Sequence, residues 1–364
     1  MSPFKSELSR RIRQLTGTDC EVESNYPFSQ AGGNEHLIQF FYKYIPWELL
    51  ELDRHSQHRF FLMDLAEKTG IDYNLDDDGL FAVLVEKNKK KVKTVQAVMD
   101  LRDEDIALVY YLGNPKNCQQ INQALCRWSN VCYFSSPILL EIAKNLASVN
   151  WIQYGFEQAS SVFQNPLIMK GEFKGAKAID ICRKFTANYK NWFNVESVAG
   201  CHIDGARGMM VFNADGTIQI DACRLSGLLE VANQIYTLLK EKHEYMVSRY
   251  LTAEGRGLSG NFTAIGHGPL EIDLPIAIEN IESFIKCFIN GQKPLRFIGI
   301  SERISPKLWQ LKSTDTTTGN QIEFELSNYK IRIKIKQKHS LFLVDRIEQF
   351  LRKHICAHLV SLAF

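Results

Sequence analysis

Residues 201–224 read CHIDGARGMMVFNADGTIQIDACR and gather thiol, imidazole, carboxylate and guanidinium groups around one turn. A cysteine nucleophile needs an imidazole to take its proton and a carboxylate to orient that imidazole. His202 stands just before one strand, Asp221 lies on its antiparallel neighbour, and Asp204 is nearer in sequence. A turn centred on Asp215 sets Asp221 near Gly208 rather than beside His202. Cys201 adjoins His202, so their side chains diverge along a strand. The nucleophile of such a relay would come from Cys132 or Cys182. The competing reading is a hairpin edge whose polar residues are hydrogen-bonded and catalyse nothing.

A second candidate is the glycine-dense stretch 254–273. GRGLSG, residues 255–260, fits the spacing GxGxxG. A dinucleotide fingerprint also needs a strand before it and a helix after it, and neither is evident here. Successive backbone N–H groups in such a loop can still wrap an anion. Arg256 would add charge, and Ser259, Asn261 and His267 would add polar reach. Paired donors from Arg207, Arg224 and Arg256 suit a phosphate or carboxylate, and His202 or His267 suits a general base near neutral pH.

Taken together, these residues point to a group-transfer enzyme, acyl transfer foremost, on a small anionic substrate. The substrate would sit between the glycine-rich loop and the arginine-bearing hairpin. No cofactor is assigned beyond a coenzyme A-linked donor. One alternative is a metal-dependent nuclease or nucleic-acid binder. It would draw on Glu172 and Lys174 in GEFKG, on the lysines at 87 and 89–91, and on Arg332, Lys334, Lys336 and Lys338. The other alternative is a non-catalytic protein-interaction module. Metal spacing is weak: His55 and His58, then His354, Cys356 and His358, each lack a second half, and Glu271 and Asp273 suit pairing with basic residues. No metal site is assigned.

Composition narrows the classes. The 364 residues are 45% apolar and 23% charged, with a net charge of +2, which is ordinary for a globular protein and not for a strongly basic nucleic-acid binder. Nine irregularly spaced cysteines without a CxxC pair favour free thiols in a reducing compartment. The opening residues lack a signal-type apolar run. No stretch reaches the roughly eighteen apolar residues of a membrane span. The expectation is a cytoplasmic protein; export without a cleaved signal would leave the same pattern.

The elements that must position these residues follow from periodicity. Residues 35–70 read as two helices either side of Pro46, the second ending near Gly70. Residues 79–101 read as a hairpin turning through the lysine run, 105–113 as a buried strand, 114–128 as a helix, and 131–136 as a strand. Pro137 opens a helix. Gly171 and Gly175 bracket a turn before a helix from Ala176 to Tyr189. Strands on either side of Gly216 form a hairpin, followed by an amphipathic helix from 225. A helix starts near Pro275, 295–300 is a strand, 321–336 is a hairpin, and a helix closes the chain. The fold class is mixed α+β, with antiparallel hairpins covered by helices in two packed lobes. The lobes would comprise residues 1–165 (helical and α/β) and 200–364 (α/β), their boundary lying within 165–200.

Overall fold

The computed structural model describes residues 35–43, 45, 49, 51–86, 95–111, 121–126, 130–202, 209–221, 225–250, 253–256, 262–265, 269–292, 295–334 and 341–359. In chain order the elements are β1 (Glu35–Tyr42), α1 (Arg54–Thr69), β2 (Ile71–Leu75), β3 (Phe81–Glu86), β4 (Val95–Asp100), β5 (Ile106–Tyr111) and β6 (Asn130–Val131). Then come α2 (Ser136–Asn145), β7 (Leu146–Glu157), β8 (Ile168–Lys174), α3 (Ala178–Tyr189), β9 (Val195–His202), β10 (Met209–Asn213), β11 (Thr217–Asp221) and α4 (Leu225–Tyr250). The rest are β12 (Ala253–Arg256), β13 (Phe262–Ile265), β14 (Leu270–Asp273), α5 (Ile281–Phe288), β15 (Phe297–Ser305), β16 (Leu308–Asp315), β17 (Gln321–Leu326), β18 (Lys330–Lys334) and α6 (Leu341–His354). The protein is mixed α+β with antiparallel sheets. No helix among the described residues is long and apolar enough to cross a membrane.

The chain divides into two compact units. One comprises residues 1–132, 145–148 and 199–235; the other comprises 133–144, 149–198 and 236–364. In the first unit the strands run β2-β3-β4-β5-β1-β11-β10, with β6 also pairing to β1. Residues 35–42 are therefore a strand and not the helix their apolar run suggests. β1 lies between β5 and β11, and Ile38, Phe40 and Phe41 are buried on alternate faces. A strand covered on both faces loses its period-two signal, and a short apolar run does not separate it from a buried helix. Gln39, inside the same strand, is satisfied: its Oε1 accepts from Asn122 Nδ2 at 2.8 Å and from the Tyr111 hydroxyl at 3.1 Å. α1 covers this sheet through Phe61, Leu62 and Leu65, packed on Phe41, Leu84, Met99 and Val109. Asp53 caps its start by accepting from Ser56 N at 3.0 Å, and Gly70 ends it at φ 72°. The hairpin of β10 and β11 turns through Gly216 at φ 76°, a left-handed position that favours glycine.

In the second unit, residues Val149 to Val198 carry the order β9-β7-β8. α3 packs against β8 around the rings of Tyr154, Phe173, Phe185 and Phe193. Gly171 does not begin a turn. It sits inside β8 opposite Tyr154, and a Cβ there would overlap the Tyr154 hydroxyl. A separate five-stranded antiparallel sheet runs β14-β18-β17-β16-β15. Its inner face meets α5 and α6, with Phe288 edge-on to Phe324 at 4.8 Å and to Phe350 at 6.3 Å. α5 starts at Ile281 and not near Pro275. The amides of Leu274 and Ile278 bond to the carbonyls of Tyr329 and Asn328 in the β17–β18 turn, and Asn280 caps the helix by accepting from Ser283 N. The glycine-dense stretch is partly paired: β12 and β13 form a two-stranded antiparallel hairpin.

Candidate functional site

Of the residues proposed for a relay, His202 ends β9 and Asp221 ends β11, both with side chains outside the described residues. The register Met210 to Ile220, continued by one residue, sets Asp221 opposite Met209. On its other edge Asp221 pairs with Glu35 of β1. Asp204, Arg207, Arg224, Ser259, Asn261 and His267 lie outside the described residues, as does the side chain of Arg256 in β12. So do the lysines at 87 and 89–91 and Lys336 and Lys338. Cys132 and Cys182 are buried, and burial pushes the Cys182 thiol up to about 11. A thiol so placed is poorly ionised at neutral pH and therefore a weak nucleophile.

The metal-spaced residues have other partners. His58 Nδ1 donates to Gly79 O at 2.6 Å and its Nε2 accepts from Lys43 Nζ at 3.0 Å. Burial and the neighbouring ammonium lower this imidazole to about 4. His354 Nδ1 bonds to Glu157 O, and Cys356 Sγ donates to His358 O at 3.2 Å. Glu172 pairs with Lys174 at 2.7 Å and accepts from Trp151 Nε1 at 2.7 Å. Among the described residues no group of three or more His, Cys, Asp or Glu is arranged to hold a metal ion.

Where ionisable side chains do converge is α6. Lys242 of α4 donates to Asp345 Oδ1 at 2.8 Å and to Glu348 Oε2 at 3.0 Å. Glu348 Oε1 accepts from Arg352 Nε at 2.6 Å, and Arg352 Nη1 donates to Ala357 O at 2.6 Å. All four side chains are buried. Burial alone would lower the Lys242 ammonium; Asp345 and Glu348 more than reverse this and hold it above the usual lysine range. Arg346, one residue along, reaches Asp315 Oδ1 at 2.7 Å, while Asp315 Oδ2 accepts from the Thr318 amide and hydroxyl. Two cations balance two anions in the first group, and one of each sign in the second. These are internal braces that fix α6 to α4 and to the β16–β17 turn. Periodicity misses them because Lys242 is 103 positions from Asp345.

The outer face of the five-stranded sheet carries a second charge pattern. Glu271 and Asp273 of β14 face Arg332 and Lys330 of β18, and Arg332 in turn faces Glu325 of β17. Arg332 Nε lies 2.7 Å from Glu271, Lys330 Nζ 2.9 Å from Glu271 and 3.3 Å from Asp273, and Lys334 Nζ 3.0 Å from Glu325. Of the basic face expected of this hairpin, Arg332 and Lys334 join Lys330 in one row of an ion-pair ladder.

That ladder gives way at β15 to something different. Ile298, Ile300 and Ile304 are exposed at 51%, 71% and 51%. β15 ends the sheet, with β16 as its strand neighbour. Its first residues are shielded: Asn290 bridges to Ile298, and Gly291 N donates to Phe297 O at 2.8 Å. Backbone groups alternate between the two edges of an antiparallel strand. The Phe297 carbonyl on the outer edge therefore puts the groups of Ser301 and Arg303 on that edge too. A bulge between Arg303 and Ser305 closes the stretch. Sequence reasoning identified 295–300 as a strand but not its exposure, and the signal available was ISERIS followed by Pro306, an interrupted apolar pattern at a turn.

Residues 229–349 match a family model described as MJECL33-like protein. The matched span includes β15 and the whole five-stranded sheet. No curated protein and no solved structure matches the chain.

Proposed function

We propose that the five-stranded sheet of the second unit belongs to a protein-interaction module that accepts an extended partner segment on the outer edge of β15. One observation carries this reading: Ile300, 71% exposed, stands beside backbone groups of Ser301 and Arg303 that point away from β16. An edge with open N–H and C=O groups is a template for another strand. In strand addition the main chain supplies affinity and alternate side chains supply specificity. The inner face beneath is packed by Phe288, Phe297 and Phe324, and the Asp315–Arg346 pair ties the hairpin's far end to α6, so the edge is held rigid before any partner arrives.

The group-transfer reading, with His202 or His267 as base and Arg207, Arg224 and Arg256 holding an anionic substrate, rests on side chains outside the described residues. The nuclease reading loses support at its described members, since Glu172 and Lys174 neutralise one another on β8.

Selection of displayed random peptides against the whole protein, repeated with Ser301→Pro, tests the module. Proline at 301 removes an outward N–H and leaves the pairing to β16 intact. Peptides retained by the parent and lost by the variant support edge pairing. A selection in which the two proteins enrich the same peptides rules it out.

A further inference from the structure

We infer that the β15 edge recognises a basic residue flanked, two positions away on each side, by branched apolar residues in the extended segment it accepts. This rests on the edge-pairing reading above and adds the chemistry of the partner.

The open stretch is short. Residues 289–291 run antiparallel along Gly299 to Phe297, and the bulge ends regular pairing after Arg303, so among the described residues the outward backbone groups left on offer in β15 are those of Ser301 and Arg303. So few main-chain bonds leave selection to the side chains. Glu302 is central to them. On the outer edge it is a non-hydrogen-bonded position, at which facing side chains come closest. Its neighbour within the sheet is the neutral Gln310. Arg303 does not neutralise it: that guanidinium turns back over its own hairpin, donating to Pro306 O at 3.2 Å and lying 5.7 Å from the Trp309 ring. Among the described residues Glu302 has no ion pair. Two positions from it stand Ile300 on one side and Ile304, in the bulge, on the other, both exposed.

An antiparallel partner residue opposite Glu302 therefore meets an exposed carboxylate. The residues two before and two after it meet isoleucine. Opposite charges directly across strands stabilise and like charges destabilise. The same rule excludes a second copy of β15. Self-pairing that clears residues 289–291 centres on position 302 and sets Glu302 against Glu302. Self-pairing shifted toward the start of the strand collides with the segment covering Phe297.

The test uses two labelled nonapeptides of alternating threonine, with isoleucine two positions either side of a central lysine or a central glutamate. Their binding to the full-length protein is read by fluorescence anisotropy. The parent should bind the lysine peptide at least about fivefold more tightly than the glutamate peptide. Glu302→Lys should invert that order, and Ser301→Pro should abolish binding of both. Equal binding of the two peptides by the parent, or an order that Glu302→Lys leaves unchanged, overturns the recognition rule while edge pairing stands. Undiminished binding by Ser301→Pro, or no binding of either peptide by the parent at millimolar concentration, overturns both. Sedimentation showing a parent dimer that Ser301→Pro dissolves would give the edge to a second copy and overturn the rule as stated.

Discussion

Replacing Lys242 by methionine isolates the energetics of the charges buried beneath α6. The substitution keeps an unbranched apolar stem and removes the ammonium 2.8 Å from Asp345 and 3.0 Å from Glu348. Glu348 keeps Arg352 at 2.6 Å, whereas Asp345 stays buried and loses the cation that faced it. Breaking one side of a buried pair costs about 3–5 kcal/mol, because the stranded charge cannot recover its hydration. With a urea slope of about 3 kcal/mol/M, the unfolding midpoint should fall by about 1–1.7 M. The double variant Lys242→Met/Asp345→Leu removes both charges and leaves Glu348 neutralised by Arg352. It should recover most of that loss, since an apolar replacement of a whole buried pair is often neutral or better. The pH dependence has a definite sign. Burial works to raise Glu348, but Lys242 and Arg352 outweigh it and leave the carboxyl below its ordinary 4.5, so its contribution is present above that pH and lost as pH falls through the folded value. Lys242 is raised above 10.5, so its contribution is complete below that pH and lost as pH rises beyond it. The deficit of the single variant should be larger at pH 7 than at pH 4, where the contribution of Glu348 is being lost. Urea titrations followed by tryptophan fluorescence at the two pH values decide the matter. A loss under about 1 kcal/mol, or a double variant as unstable as the single one, would refute a tightly coupled buried network.

Three further outcomes follow from other sites. His58 is lowered to about 4 by burial and by Lys43, so its imidazole signals in proton NMR should show no titration between pH 7 and 5; the stability it contributes is present above pH 6.5 and declines as pH falls towards 4. Gly216→Ala should destabilise by at least about 1 kcal/mol in thermal unfolding, because the residue sits at φ 76° and a Cβ would overlap the Cys132 carbonyl oxygen. By contrast, Glu271→Gln on the exposed ladder should leave the urea midpoint nearly unchanged, although it faces two cations, because water screens them.

The contrast between β1 and the hairpins shows what the sequence reveals and what it withholds. FAVLVE with VQAVMD, MMVFN with TIQID, and QIEFEL with KIRIK announce themselves, because each arm either alternates or is rich in branched residues and a turn stands between them. Capping chemistry is just as local: Asp53 and Gly70 fix α1 within about a residue of its expected end. EHLIQFFY carries no such mark, since residues on both its faces are buried and its edges pair with β5 and β11, which arrive later in the chain. The same non-locality hid the braces of α6. In LFLVDRIEQFLRKH the charges at 345, 346, 348 and 352 look like a solvated stripe, and only Lys242 and Asp315 turn them inward. Legibility therefore ran opposite to first expectation. The residues richest in apparent chemistry, from His202 to His267, yielded no described constellation, while β15, which leaves backbone and isoleucine open, reads in sequence as an ordinary polar interruption.

That reversal has a physical basis which bears on where function should be sought in this chain. The buried cations Lys242, Arg352 and Lys43 are committed among the described residues: Lys242 to two carboxylates, Arg352 to Glu348 and a carbonyl, Lys43 to His58 and to the carbonyls of Leu101 and Asp103. A charge held by several partners at hydrogen-bond distance is costly to redirect towards a ligand, because each bond it gives up leaves another buried group unsatisfied. Exposed Glu302 has no such commitment among the described residues, and forming a pair with an incoming cation requires it to abandon only water. A recognition element built this way is cheap to engage and cheap to release, which suits a transient contact better than catalysis. The prediction is a fast off-rate. Peptides captured at β15 should dissociate within a stopped-flow mixing experiment and weaken as salt is raised, while the urea midpoint, set by the buried pairs, stays nearly constant over the same range. Salt-independent, slow-dissociating binding would mean that something other than the Glu302 edge holds the partner.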